Sequence, residues 1–316
     1  MGLGTVIAER TGVRRTLIFF VWAIVFLVLF FEWGMINYGT STEDSPGADT
    51  AEQTQSSVDE AKTIADYDKV IAEQPSNATA YNNRGMLYSD MEDHHRAIED
   101  FNKSLELNPG NAVYYVNRGF SYYYTEQYQL AVDDANAALA LDESLNLLQL
   151  RGLAYFSLKQ YQNSIDDLIQ DMEINPTRFT HNYVGRSYSE LGQEEEAIKH
   201  YSKSIELDPD SAPVAYNNRG QSYNALKDHG RALEDLNRSI ELSSDDPLPQ
   251  PYRHRGDAFN GLGQHQNAIE DFNKAIEMKP SYAEAYNGRG EAYVALGDAA
   301  QAQLDFDKAK ELGYDP

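Results

Sequence analysis

From residue 59 onward, apolar side chains fall into paired stripes at helical spacing. Tyr81, Arg84, Gly85 and either Leu87 or Tyr88 mark one stripe; after a turn, Ala97, Phe101, Ser104 and Leu105 form a second before Pro109. A period near 3.6 predicts two helices joined by a short turn. The pattern restarts at Tyr115, Gly119, Tyr122, Ala131 and Ala135. Seven glycines keep its register: Gly85, Gly119, Gly152, Gly185, Gly220, Gly256 and Gly290, spaced by 34, 33, 33, 35, 36 and 34 residues. Self-similarity at a fixed period predicts one helix pair copied along a solenoid. Small residues such as Gly85 and Ala97 let paired helices approach, while Tyr81 and Phe101 fill the space beside them.

An aromatic, Gly, Tyr, Ala, Phe and Pro in that order at a period of about 34 residues resembles the tetratricopeptide repeat. The resemblance implies an all-α, right-handed superhelical solenoid of antiparallel helix pairs over residues 58–316. Repeats start near Ala78, Ala112, Leu145, Arg178, Pro213, Pro249 and Ala283, after a half copy over 59–77 in which Tyr67 and Val70 sit like Phe101 and Ser104. Local departures are His181 and Leu148 at the aromatic position, and Ser244 and Tyr314 where Pro is usual.

The first forty residues add a different element. Leu17 to Phe31 is an unbroken apolar run, and Trp33 to Ile36 extends the window after Glu32, so residues 16–36 read as a transmembrane anchor. Arg10, Arg14 and Arg15 precede it and no basic residue follows until Lys62, which predicts a cytoplasmic N-terminus over 1–15 and repeats on the exported, periplasmic side of a bacterial inner membrane. A cleaved secretory signal is the competing reading. Residues 37–57, polar and acidic with Pro46, read as a flexible linker.

Charge and residue types narrow the chemistry. With 26 basic and 50 acidic side chains the formal net charge is −24, which disfavours nucleic acid and suits either solubility or a basic partner. The chain has no cysteine. The recurring carboxylate pairs Glu99/Asp100, Asp133/Asp134, Asp166/Asp167, Glu234/Asp235 and Glu270/Asp271 read as a solvated outer face, with (i, i+4) partners at Glu99/Lys103, Glu234/Arg238 and Glu270/Lys274. His94, His229 and His265 share one inter-helix turn and are expected to be exposed; nothing converges as a metal site. No nucleophile, acid–base pair or phosphate loop stands out, so the reading is no enzyme and no cofactor.

What remains is binding. In the resembled family, Asn two residues before the glycine grips the backbone of an extended ligand; Asn83, Asn117 and Asn218 stand there, whereas Leu150, Tyr183, His254 and Gly288 depart. The alternative is that these Asn are family background. Val113, Val116, Phe120, Tyr123 and Tyr124, continued by Leu153 and Phe156, form an apolar strip facing the groove, either an interaction site or a surface covered by neighbouring repeats. Arg186, Arg253, Asp257, Glu284 and Glu291 make the later groove polar. The turn with Pro247, Pro249 and Pro251 is a candidate hinge, and the last repeat lacks a capping helix, so either a second copy covers its edge or the final helix is amphipathic enough by itself. Two functions fit: a membrane-anchored scaffold or adaptor that holds a protein or peptide segment, or a permanent regulatory subunit of a membrane enzyme complex for envelope or polysaccharide assembly.

Overall fold

A computed structural model describes residues 63–315. The predicted anchor and linker, and the first residues of the half copy, lie outside the described residues. Among the described residues no helix is long and apolar enough to cross a membrane.

Fifteen helices are described: α1 (Ile64–Glu73), α2 (Ala78–Asp90), α3 (His94–Leu107), α4 (Ala112–Tyr124), α5 (Tyr128–Leu141), α6 (Leu148–Ser157), α7 (Tyr161–Met172), α8 (Arg178–Glu190), α9 (Glu194–Leu207), α10 (Pro213–Ala225), α11 (His229–Leu242), α12 (Pro249–Gly261), α13 (His265–Met278), α14 (Ala283–Ala295) and α15 (Ala299–Glu311). They are all-α and stack in chain order as a helical repeat solenoid. Among the described residues helix α1 has no first helix before it and packs on α2, and each later pair holds a first and a second helix. Successive first helices also touch one another, more closely than successive second helices do. The first helices therefore line the shorter, inner arc.

Capping explains many of the starts. Asn77, Asp93, Asn111, Asp228 and Asp298 each accept a hydrogen bond from a backbone N–H in the first turn. Pro213 and Pro249 open their helices, where a missing N–H costs nothing. Pro251 is buried in α12, so the proline-rich turn runs directly into a packed helix. Between the two helices of each pair one residue sits in the left-handed region: Glu92, Glu126, Lys159, Gly192, Lys227, Gly263 and Gly297 in turn.

Packing within a pair follows from the glycine register. A Cβ built on Gly85, Gly152, Gly185, Gly220, Gly256 or Gly290 would lie 2.7–2.8 Å from a ring or branch atom of Phe101, Leu168, Tyr201, Leu236, Phe272 or Phe306. Each of these large residues stands sixteen positions on, in the second helix, and the glycine is what lets it in. The second repeat has only Ala135 at that place. Its space beside Gly119 is filled instead by Leu150 of the next repeat, 3.5 Å from where a Cβ would sit.

Candidate functional site

The carboxylate pairs are not a solvated face. Asp100, Asp134, Asp167, Asp235, Asp271 and Asp305 are 4–7% exposed. Each is gripped by the arginine sixteen residues earlier, immediately before the glycine: Arg84, Arg118, Arg151, Arg219, Arg255 and Arg289. Nε and Nη2 donate to the two carboxylate oxygens at 2.6–2.8 Å, a bidentate pair. Nη1 reaches the second helix of the preceding repeat, donating to Asp68, Asn102, Asn136, Ser202, Asn237 or Asn273 at 2.5–2.9 Å. One guanidinium thus ties its own repeat together and ties it to its neighbour. Only the other, outer member of each pair faces water. The exposed cations pair at (i, i+3) rather than (i, i+4), as in Lys103 with Glu106, Arg238 with Glu241 and Lys274 with Glu277.

The fourth repeat breaks this ladder. Val184 stands for the arginine and His200 for the aspartate, with Ile169 at the acceptor position on α7. Val184 packs with Ile165 and Leu168. His200 instead meets His181 of α8, Nδ1 to Nδ1 at 3.2 Å.

On the inner face, the aromatic strip forms two groups of ring contacts. Tyr124 stacks on His94 at 4.8 Å and meets Tyr123 edge-on at 5.9 Å; Tyr123 also meets Tyr128 at 5.5 Å. In the next repeats Phe156 meets Tyr183 at 5.3 Å, and the guanidinium of Arg186 lies 4.4 Å from the Phe156 ring and 5.1 Å from that of Tyr183. Burial, reinforced by the nearby Tyr183, pushes the Tyr123 hydroxyl up to about 12. Neighbouring repeats cover part of this strip: Val116 packs against the cluster of Ala135, Ala138, Leu145 and Leu147, and Tyr123 against Ala131, Val132 and Ala154. The rest stays open. Tyr124 is 48% exposed and Val113 41%, while Phe120, Leu153 and Phe156 are half-buried.

Two of the three asparagines are engaged between helices and the third within its own helix. Asn117 Nδ2 donates to Asn82 Oδ1 of the preceding repeat at 2.9 Å, and Asn218 Nδ2 to Asn182 Oδ1 at 3.2 Å. Asn83 Oδ1 accepts from Asn82 at 3.2 Å. The departures serve the same joint by other means. His254 Nδ1 donates to Asn217 Oδ1 at 2.8 Å, leaving Nε2 to accept from Arg253, which fixes a neutral ring whose proton affinity burial holds well below the usual range. Gly288 makes room for Phe272, whose ring would lie 2.5 Å from an added Cβ.

In the later groove, Asp257, Asn260, Gly261, His265 and Glu291 line a cavity of about 420 Å³. Burial pushes the Asp257 carboxyl up to about 6; Arg253, donating to it at 2.8 Å, pulls the other way and Glu291 adds to the rise. The turn histidines are bonded and partly buried: His94 to Ser89 at 3.3 Å, His229 to Asn224 and His265 to Asn260 at 3.1 Å. Among the described residues no group of three His, Cys, Asp or Glu converges on a metal position.

Comparison with known proteins meets this geometry at the same units. Residues 185–227 and 256–297 match the family described as TPR repeat, and 78–111, 213–246 and 283–312 match tetratricopeptide repeat families. The helix pairs within these matched stretches are tetratricopeptide repeats. Among solved structures, a tetratricopeptide repeat protein from Parabacteroides merdae aligns with a TM-score of 0.60 at 20% identity, over 75% of this chain and 94% of that one. The Cut9–Hcn1 hetero-tetramer of the APC/C gives 0.59 at 14% identity, over 79% of this chain and 49% of the other, so this chain spans about half of that protein. Pseudomonas aeruginosa pilF gives 0.54 at 15% identity, over 66% and 94%. These likenesses show the tetratricopeptide solenoid and nothing finer. No curated protein matches the sequence.

Proposed function

We propose that the chain is a non-catalytic, membrane-anchored adaptor whose inner face holds an extended segment of a net basic protein, with the aromatic strip as anchor. The tetratricopeptide fold supports protein–protein interaction in general. The carrying observation is the run Tyr124, Tyr123, Phe156, Tyr183, Arg186: aromatic rings left half open on the face where an array of repeats presents its concave surface. Charge adds direction, because a chain of net charge −24 attracts basic partners over a Debye length of about 10 Å at moderate salt. The anchor reading rests on the apolar run after Arg15, with the repeats on the exported side. Permanent assembly into a membrane enzyme complex is the second reading; a chain of similar fold is found in the Cut9–Hcn1 hetero-tetramer.

The test is crosslinking and pull-down from membranes with the native N-terminus intact, followed by binding of the recovered partner to Tyr124→Ala/Phe156→Ala. Loss of two anchor side chains weakens binding by about 1–4 kcal/mol if the strip is the site. Unchanged affinity with helicity retained refutes the assignment. Stoichiometric recovery of one enzyme favours the subunit reading; several substoichiometric partners favour the adaptor. An export-dependent reporter fused after Pro316 tests the topology, and an inactive reporter overturns it.

A further inference from the structure

Six of the seven full repeats join their two helices through a buried arginine–aspartate pair, and the fourth joins them through His181 and His200. We infer that the fourth repeat is an acid-opened joint of the solenoid, in which this histidine pair holds α8 to α9 only while at least one of the two imidazoles is neutral. The proton count is simple. With both rings neutral, one carries its proton on Nδ1 and donates it to the bare Nδ1 of the other, 3.2 Å away. One added proton leaves that bond in place, now charge-assisted. A second leaves N–H facing N–H and two like charges at the same distance. An arginine–aspartate pair has no such step, because guanidinium stays charged and the carboxylate sits in its fork.

The carboxylates nearest the second charge are already engaged with lysines. Glu196 and Lys199 face His200, and Lys203 and Glu206 face His181, but these four form two closed ion pairs at 2.6 Å each. Tyr188 of α8 stacks on His200 at 5.5 Å, with Asp166 of α7 in electrostatic reach of its hydroxyl. From α10, Arg219 bonds Ser202 at 2.9 Å, adding a further positive group two residues beyond His200. Burial, then the neighbouring ring, holds His200 down to about 4, and burial lowers His181 as well. A histidine depressed in the fold binds fewer protons folded than unfolded. The joint therefore keeps its full stability above about pH 6.5 and loses it as pH falls from there through about 4. Tyr183 and Arg186 ride on the same helix as His181, so opening here disturbs the end of the aromatic strip.

Hydrogen exchange of the full-length chain at pH 7.5 and 5.0, corrected for intrinsic rates, reads the joint directly. Residues 178–207 are expected to lose about tenfold more protection than residues 213–242, a local opening within an otherwise folded array. His200→Asn, which cannot gain a proton, abolishes that extra loss. Imidazole titration of the unaltered protein by NMR needs no variant and places at least one ring of the pair below pH 5. Uniform loss of protection, persistence of the extra loss in His200→Asn, or titration of both rings at 6.5 or above overturns the inference.

Discussion

Arg118→Ala is the sharpest perturbation of the ladder. Its guanidinium donates to Asp134 at 2.8 and 2.7 Å and to Asn102 at 2.7 Å, and its side chain is 19% exposed against 6% for Asp134. Truncation leaves a carboxylate in a site sealed from water. Breaking a buried pair by removing one partner costs about 3–5 kcal/mol, and the partial exposure of Arg118 brings the expectation to about 2–4 kcal/mol. Removing both charges with Arg118→Val/Asp134→Ala costs less than the sum of the single changes, since no uncompensated charge remains; the coupling is about 1–3 kcal/mol. Urea melts followed by circular dichroism give the total. Hydrogen exchange over 112–141 gives the local part, which matters because repeat arrays depart from two-state unfolding. The pH response supplies a check of sign. Burial already pushes the Asp134 carboxyl up, and the Arg118 bond is what opposes it. Without the arginine the folded carboxyl binds its proton still more tightly relative to the unfolded one, so the deficit is greatest at pH 7 and shrinks as pH falls. A loss under about 1 kcal/mol that ignores pH would show the fork to be a solvated pair of little structural weight.

Asn117→Ala removes the donor to Asn82 and lowers stability by about 0.5–1.5 kcal/mol while affinity per folded molecule for the recovered partner stays unchanged; a loss of affinity without a loss of melting temperature restores the asparagines to a ligand-gripping role. Gly288→Ala forces a methyl against the Phe272 ring and costs about 1–3 kcal/mol in thermal or urea melts, whereas Gly230→Ala, whose nearest neighbour would be 3.9 Å away, is neutral or gains up to about 1 kcal/mol, and equal effects at the two sites refute the packing account.

The helix pairs and their period were legible because in six of the seven full repeats a glycine must admit a large side chain from the facing helix, and that need leaves a mark at fixed spacing. The aspartates were misread for a physical reason. A carboxylate on an amphipathic helix looks solvated unless its partner is sought off the helix, and the partner here lies sixteen residues back. The signal was present: every arginine before a repeat glycine has its aspartate at that interval, and the fourth repeat lacks both together. Leu150 and Gly288 looked like gaps in an asparagine row. They are compensations, one filling the space Ala135 leaves and the other yielding to Phe272. Volumes traded between neighbouring repeats cannot be read from one repeat's pattern, since each residue is ordinary alone.

The ladder also bears on how the inner face is held. In a solenoid each repeat is stabilised by its own packing and by its two interfaces. Because each arginine spans both its own second helix and the preceding one, the forks couple neighbours as well as closing pairs. The joint between the third and fourth repeats has no fork; it rests on Val184 packed with Ile165 and Leu168, on the contact of Phe156 with Tyr183, and on hydrogen bonds from Ser187 to Ser164 and from Tyr161 to Glu190. Apolar packing is non-directional, whereas a bidentate pair fixes orientation. The aromatic strip therefore crosses the array where orientation is least constrained by charge, and a segment lying across Phe156, Tyr183 and Arg186 would brace the one joint the ladder leaves out.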